Sequence, residues 1–188
     1  MLKKLIILDR DGVINHDSQD YIKSPDEWRP LPNSLEAIAL LTQHNFTIVV
    51  ATNQSGLARG YYTEQTLSLI HNKMQNLLLA HNSCVEHIFY CPHGPDDNCT
   101  CRKPKSGLLD QIENFYQQSL KGTPFVGDSM RDIEAALAKG CNPILVRTGN
   151  GQKTLEKTGN SIRQVPVFDD LFSFAQAALQ PGFLETYL

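Results

Sequence analysis

Short apolar runs alternate with longer amphipathic stretches along this chain, and the alternation limits the fold more than any other feature. The first run, residues 5–8, is continuously apolar, which indicates a strand covered on both faces. Strands of this kind belong mostly to parallel sheets whose connections are helices. We therefore predict an α/β fold with a doubly wound, mostly parallel sheet and helices on both of its faces.

The same patterns place the individual elements. Strands are predicted over residues 4–8, 47–51, 85–90, 123–128, 142–149 and 165–168. Helices are predicted over residues 34–44, 63–80, 107–116, 133–139 and 171–179, with Asn33 or Ser34 capping the first, Thr63 starting the second and Gly140 closing the fourth. Residues 149–160 fit either a polar loop or a short helix.

Length and charge restrict the class of protein. At 188 residues the chain can bury a full core, and we predict a single domain over residues 1–188 with no large cap domain. The net charge of −3 provides no basic face for nucleic acid, so an anionic ligand must meet local positive charge. No apolar stretch reaches signal-peptide or bilayer length, which predicts a cytoplasmic protein with no membrane partner. We also expect a monomer.

Polar residues follow three of the predicted strands directly. Asp9 and Asp11 follow the first strand, Thr52 follows the second, and Asp128 ends the fourth. The carboxyl ends of parallel strands share one edge of a sheet, so these residues should converge there. Paired carboxylates that both stay ionised need a cation, and oxygen ligands of this type suit Mg²⁺. Taken alone, Asp-Arg-Asp-Gly is equally compatible with a polar turn.

Other segments at this edge also allow two interpretations. Thr52, Asn53, Gln54 and Ser55 fit a phosphate-binding loop or a capping turn. Asp128 fits a metal ligand, a helix N-cap, or both, and Asp132 fits a supporting carboxylate or a helix-start charge. The long loop after Asp11 is a candidate specificity loop whose polar residues could bind sugar hydroxyls or be exposed turn residues: Asp17, Ser18, Gln19 and Asp20.

A cysteine and histidine cluster lies after the third predicted strand. Cys91, His93, Cys99 and Cys101 provide the Cys₃His set of a closed tetrahedral zinc site. Zinc would fold the intervening loop and so place the basic pair Arg102 and Lys103; a redox pair or unbound thiols are the alternatives. The remaining cysteines, Cys84 and Cys141, are expected to be small buried or neutral residues. The other histidines receive no role: His16, His44, His71, His81 and His87.

The order of these motifs resembles the haloacid-dehalogenase superfamily of phosphotransferases. The shared features are "DRDG", "TNQSG", a later lysine and "GDSMRD". The additional "TNQSGLARG" and "CPH…CTCRKP" are similar to the heptose 1,7-bisphosphate 7-phosphatases and to their relatives, the histidinol-phosphate phosphatases, across nearly the whole chain.

The resemblance implies a role for each site residue. Asp9 would be the nucleophile that forms an aspartyl-phosphate, and Asp11 the general acid and then base. Thr52 and Lys103 would hold the phosphoryl group, and Arg102 would recognise the substrate. Asp9, Asp128 and the backbone carbonyl of Asp11 would hold Mg²⁺. Arg10 is expected to contribute its backbone carbonyl rather than its side chain.

The substrate expected from the resemblance is a small sugar bisphosphate. Ser55 favours a heptose bisphosphate, because histidinol-phosphate phosphatases tend to carry Asp at that position. Histidinol phosphate or another small phosphomonoester is the alternative. Ser129 stands where many relatives have a basic residue, so a substrate contact made by that residue would be either missing or replaced here. A non-catalytic, zinc-stabilised phosphate-binding module is disfavoured because both Asp9 and Asp11 are present.

Overall fold

A six-stranded parallel sheet forms the centre of the computed structural model, which describes residues 2–183. The strand order is β3-β2-β1-β4-β5-β6, with all five neighbouring pairs parallel. The predicted α/β sheet is therefore confirmed. The strand bounds are β1 Lys4–Leu8, β2 Phe46–Asn53, β3 His87–Cys91, β4 Pro124–Gly127, β5 Asn142–Val146 and β6 Val167–Phe168.

Helices cover both faces of this sheet. Ile6 and Leu8 of β1 join a core formed with α1, α2 and α6, whereas Leu5 and Ile7 join a second core formed with α3 and α4. This division follows from the alternation of successive side chains along a strand. The helices are α1 Ser34–Gln43, α2 Glu64–Ala80, α3 Gly107–Tyr116, α4 Met130–Lys139, α5 Gly151–Thr158 and α6 Leu171–Ala178, with 3₁₀ turns at Pro25–Glu27 and Gly159–Ile162.

Several local predictions need correction. Helix α4 begins at Met130 instead of residue 133, and β2 continues to Asn53, so Thr52 and Asn53 belong to a strand and not to a capping turn. The open choice at residues 149–160 is settled as helix α5. Asn33 occupies the N-cap of α1 in a left-handed conformation with no side-chain capping bond. Cys141 is buried as expected, but Cys84 is exposed.

The connections at the carboxyl edge of the sheet leave it open. The segment between β1 and α1 contains one short 3₁₀ turn, Pro25–Glu27, and no further helix. Within residues 2–183, therefore, no large cap domain covers this edge. The same part of the chain contains no helix that is long and apolar enough to span a bilayer.

Candidate active site

Strand register brings the predicted site residues to one level at the carboxyl edge of the sheet. Leu8 pairs with Val50 on one side and with Val126 on the other. Asp9, Thr52 and Asp128 follow these residues by one or two positions, so they lie side by side. They line a cleft of about 260 Å³ together with other predicted residues: Asp11, Asp17, Ser18, Gln19, Asn53, Gln54, Ser55, Arg102 and Lys103. Asp20 is exposed and does not line this cleft.

Three carboxylates form a buried cluster on the floor of the cleft. Oxygens of Asp9, Asp128 and Asp132 lie within 4.8 Å of one another. Burial raises the pKa of Asp9 well above its ordinary value; Lys103 opposes this rise, and Asp132 and Asp128 add to it. Burial, followed by the charge of Asp132, raises the pKa of Asp128 to about 7. Such a set of repelling oxygen ligands fits a hard divalent cation such as Mg²⁺.

Two glycines make room for the carboxylate of Asp128. A Cβ at Gly12 would lie 2.1 Å from Asp128 Oδ2, and one at Gly149 would lie 2.2 Å from the same atom. Both glycines also have positive φ angles, +83° and +57°, which side-chain-bearing residues rarely adopt. The backbone N–H of Asn150 donates to Asp128 Oδ2 at 2.7 Å. The surrounding backbone therefore fixes the position of this carboxylate.

Lys103 supplies buried positive charge next to the cluster. Its Nζ lies 3.0 Å from Asp9 Oδ1 and 2.6 Å from Asp132 Oδ1, and donates to the carbonyl of Ala51 at 2.8 Å. Burial lowers the pKa of Lys103, but Asp132 and Asp9 outweigh it and the pKa is raised overall. Asn53 pairs with the Lys103 backbone through two 3.1 Å hydrogen bonds. Asn53 thus positions the lysine in addition to lining the cleft.

Asp11 lies in a different electrostatic environment. Its carboxylate accepts hydrogen bonds from the Arg10 guanidinium at 2.9–3.2 Å, and from Asn15 and Gln54 at 2.9 Å each. Burial raises the pKa of Asp11, but Arg10 and these hydrogen bonds outweigh burial and hold the pKa below its ordinary value. Arg10 is only 1% exposed. The expectation that Arg10 contributes its backbone rather than its side chain is wrong.

Gln54 links the Asp11 side of the cleft to Thr52. Its Nε2 donates to Asp11 Oδ2 and to Thr52 Oγ1, both at 2.9 Å, so the Thr52 hydroxyl can direct its own proton into the cleft. The Tyr62 hydroxyl donates to Gln54 Oε1 at 2.7 Å and fixes the orientation of the amide. Gly56 allows this approach, since a Cβ there would lie 2.3 Å from the Tyr62 ring.

The start of α4 differs from the sequence prediction. Ser129, not Asp128, is the N-cap, and both its backbone N–H and its hydroxyl donate to Asp132 Oδ2, at 3.1 and 2.5 Å. Asp132 is therefore a central buried carboxylate. The Ser-x-x-Asp spacing of a capping box was the signal that could have indicated this. No sequence signal pointed to Asn150, Tyr62 or Arg131, which also line the cleft.

The cysteine and histidine cluster has the dimensions of a zinc site. Cys91 Sγ lies 3.7 Å from Cys99 Sγ and 3.1 Å from Cys101 Sγ, and His93 Nδ1 lies 3.3 Å from Cys101 Sγ. A tetrahedron of 2.3 Å zinc–sulfur bonds has edges of about 3.8 Å. The four ligand atoms therefore fit a closed zinc site. Cys91 ends β3 and packs in the second core, which connects this cluster to the sheet.

Comparisons with known proteins identify a family model and close sequence relatives. The HAD-hydrolase-like family model matches residues 100–173. The D-glycero-beta-D-manno-heptose-1,7-bisphosphate 7-phosphatase of Bordetella bronchiseptica is 54% identical over 94% of this chain and 98% of its own length. The enzyme of the same name from Pseudomonas aeruginosa is 53% identical over 96% of this chain and 100% of its own length.

A solved structure shows the same likeness. The crystal structure of D,D-heptose 1,7-bisphosphate phosphatase from B. bronchiseptica, complexed with magnesium and phosphate, superposes with a TM-score of 0.91. It is 54% identical, and the match covers 94% of this chain and 98% of that one.

The parallel sheet, with Asp9 and Asp11 after β1, Thr52 on β2, a buried Lys103 and Asp128 after β4, defines a hydrolase of the haloacid-dehalogenase superfamily. Within that superfamily the chain belongs to the D-glycero-D-manno-heptose 1,7-bisphosphate 7-phosphatases, a family of phosphoric monoester hydrolases.

Proposed function

We propose that this protein is a Mg²⁺-dependent phosphatase that removes the 7-phosphate of D-glycero-D-manno-heptose 1,7-bisphosphate through an aspartyl-phosphate on Asp9. The reaction would serve the synthesis of nucleotide-activated heptose for lipopolysaccharide core. The observation that carries the proposal is the division of the cleft into two carboxylate environments. Asp9 lies among buried carboxylates beside Lys103, whereas Asp11 lies in a hydrogen-bonded network around Arg10.

The first step needs Asp9 ionised and Asp11 protonated. Burial raises the pKa of Asp9, but the charge of Lys103 lowers it and favours the ionised form, as bound Mg²⁺ would. The Asp9 carboxylate attacks phosphorus, the P–O bond to C7 oxygen breaks, and Asp11 in its protonated form gives its proton to that oxygen. Lys103 and the Thr52 hydroxyl hold oxygens of the phosphoryl group, which favours in-line transfer by positioning and charge stabilisation. Mg²⁺ bound by Asp9, Asp128 and the Asp11 carbonyl would offset the repulsion between the nucleophile and the phosphate anion.

The second step uses Asp11 as a base. Its carboxylate, ionised after the first step, takes a proton from water, and the resulting hydroxide attacks the phosphorus of the aspartyl-phosphate. The acyl–phosphate bond breaks, phosphate leaves and Asp9 is regenerated. Arg10, Asn15 and Gln54 all stabilise the ionised form of Asp11, which suits this step.

A bisphosphate substrate requires a second source of positive charge in the cleft. The charges of Arg10 and Lys103 are already paired with Asp11, Asp9 and Asp132. Arg102 and Arg131 line the cleft and form no ion pair within residues 2–183. Arg131 lies two residues beyond Ser129, so it supplies the basic group that this chain lacks directly after Asp128. We assign the retained 1-phosphate to these two arginines.

The loop after β1 would bind the sugar. Asp17, Ser18 and Gln19 line the cleft, and Asp17 Oδ2 accepts a hydrogen bond from Asn150 Nδ2 at 2.8 Å. Asn150 also donates to Asp128, so this contact connects the loop to the metal-binding carboxylate. The carboxylate and hydroxyl groups of the loop can pair with the hydroxyls of a heptose.

The zinc cluster would have a structural role. All four of its ligand positions are filled by the protein, which leaves no position for a substrate. Arg102 follows Cys101 directly, and its guanidinium donates to the carbonyl of His93 at 3.2 Å. Zinc would therefore hold the loop that places Arg102 and Lys103.

Phosphate release in the presence of Mg²⁺ tests the proposed function. Both anomers of heptose 1,7-bisphosphate and histidinol phosphate are compared at matched concentrations, with Asp9→Asn as the inactive control. We expect kcat/KM to favour heptose 1,7-bisphosphate over histidinol phosphate by at least about a hundredfold, or about 2.7 kcal/mol of transition-state discrimination, and the better heptose substrate then identifies the anomer. A preference for histidinol phosphate would contradict the heptose assignment and leave the roles of Asp9 and Asp11 intact.

A further inference from the structure

His71 of α2, to which the sequence assigns no function, contacts the active-site residue Arg10. Its Nε2 lies 3.1 Å from Arg10 Nη1, while His71 itself does not line the cleft. A guanidinium has donors but no acceptor, so Nε2 must accept this hydrogen bond. The imidazole is therefore neutral and carries its proton on Nδ1.

The surroundings of His71 maintain this form. Burial and the adjacent charge of Arg10 lower the pKa of His71 to about 3. The ring stays neutral at physiological pH and remains an acceptor. It also lies near the ring of Tyr90, with centroids 6.2 Å apart, so its position between α2 and β3 is defined.

The other hydrogen bonds of Arg10 show what this contact orients. Nε and Nη2 donate to Asp11, and Nη2 also approaches Gln54 Oε1 at 3.2 Å. Nη1 makes the contact with His71 of α2. Because the guanidinium is planar, a bond at Nη1 restricts the plane of the whole group, including the edge that faces Asp11.

We propose that His71 is a positioning residue, which accepts a hydrogen bond from Arg10 and thereby holds the Asp11 carboxyl group toward the leaving oxygen of the substrate. It acts through Arg10 and touches neither substrate nor metal. This role rests on the proposed function in one respect, namely that Asp11 is the general acid.

The proposed role of His71 predicts that its removal affects substrates with different leaving groups unequally. An alkoxide such as the C7 oxygen of a heptose needs a proton as its bond to phosphorus breaks, whereas a nitrophenolate leaves readily without one. Removal of the His71 acceptor should therefore slow hydrolysis of an alkyl phosphate much more than hydrolysis of an aryl phosphate. General damage to the fold or to phosphate binding would slow both equally.

The experiment compares kcat/KM for heptose 1,7-bisphosphate and p-nitrophenyl phosphate in three proteins. These are the wild type, His71→Phe, which keeps the ring volume without an acceptor, and His71→Gln, whose Oε1 can replace Nε2. For His71→Phe we expect kcat/KM on heptose 1,7-bisphosphate to fall about tenfold. This is a part of the roughly 10²- to 10⁴-fold rate increase that a positioned general acid contributes. On the aryl phosphate we expect a loss below about twofold, and His71→Gln should restore most of the sugar-phosphate activity.

Equal losses on both substrates, or equal activity of the Phe and Gln variants, would overturn the proposal. If His71→Phe does not fold, nitrogen NMR of the wild-type imidazole provides a second test, since a proton on Nε2 would also overturn it. Failure of the proposed function is distinguishable, because it would appear as wild-type inactivity on the heptose bisphosphate. The contrast would then be measured with another alkyl phosphomonoester that the wild type hydrolyses.

Discussion

The two candidate metal centres differ in what holds their ligands in place. Asp9, Asp128 and Asp132 are buried at the ends of strands or in the first turn of α4, and the backbone of Gly12 and Gly149 confines Asp128. Cys99, Cys101 and His93 lie on a segment without helix or strand; their ligand atoms contact one another and Cys91, and the two cysteines also pack against the second core.

Because the ligands are held differently, loss of metal from the two centres should have different effects on the fold. The carboxylates are placed by the fold although they repel one another, so metal loss there should cost activity and leave the fold in place. Three of the four ligands of the second centre, all but Cys91, lie on a loop without helix or strand, so metal loss there should unfold the loop that carries Arg102 and Lys103. On the proposed function, one centre would serve chemistry and the other local folding.

Asp9→Asn should have the largest effect, and it should lower turnover without lowering stability. Because the amide is no nucleophile, we expect kcat/KM to fall by at least about 10⁴-fold. The melting temperature of the metal-free protein should not fall, since one of three repelling carboxylate charges is removed. Steady-state kinetics and thermal unfolding provide the two values; a large loss of stability would contradict the contrast between the centres.

Cys99→Ser should affect folding and chemistry together. We expect zinc content and melting temperature to fall, because structural zinc in small domains contributes on the order of 10 kcal/mol to folding. Activity should fall as well, because Lys103 loses its fixed position. Metal analysis, thermal unfolding and phosphate release measure the three effects. Cys84→Ser is the matched control, since Cys84 is an exposed cysteine outside the cluster; equal behaviour of the two variants would contradict the structural role of zinc.

Gly12→Ala should weaken magnesium binding with a smaller effect on folding. Its Cβ would lie 2.1 Å from Asp128 Oδ2, so the carboxylate must move. We expect Mg²⁺ affinity to fall by about 10- to 100-fold, as when the supports of a metal ligand are disturbed. Gly60→Ala provides the control: Gly60 also has a positive φ, +70°, but its added Cβ would meet nothing within 4 Å. Titration calorimetry should separate the two variants; equal affinities would show that Gly12 does not confine the carboxylate.

The last expected effect concerns stability alone and is the pH dependence of the metal-free protein. The pKa of Asp128 rises from the ordinary value of 3.8 to about 7 on folding, so the folded state binds more protons between these values. Stability should therefore be greatest below about pH 4 for this group and decrease as pH rises toward about 7. Thermal unfolding in EDTA should show a lower melting temperature at neutral than at mildly acidic pH from this contribution, and Mg²⁺ should reduce the difference. A melting temperature independent of Mg²⁺ across this range would argue against the cluster as a metal site.

Sequence reasoning succeeded where residue order alone determines position. The alternation of apolar and amphipathic segments gave the sheet, and Asp9, Thr52 and Asp128 could be placed because each lies where a parallel strand ends. The Cys91-to-Cys101 spacing likewise indicated a four-ligand cluster. These features depend on local pattern and on one rule of sheet topology.

The missed features depend on how distant segments pack. Arg10 is polar and flanked by aspartates, so nothing in its neighbourhood indicates that it is buried in the wall of the cleft. His71 contacts it from α2, although its spacing of four from Leu67 and three from Met74 places it on the buried helical face. Asn150 reaches Asp128 only because β5 lies beside β4.

The central claim, that Asp9 receives the phosphoryl group, is tested most directly by trapping the covalent intermediate. Wild-type protein is mixed with heptose 1,7-bisphosphate and Mg²⁺, quenched in acid within one turnover, and mapped by peptide mass spectrometry. We expect one added phosphoryl group on Asp9. A phosphoryl group on another residue, or turnover with no phosphorylated protein at any quench time, would contradict it.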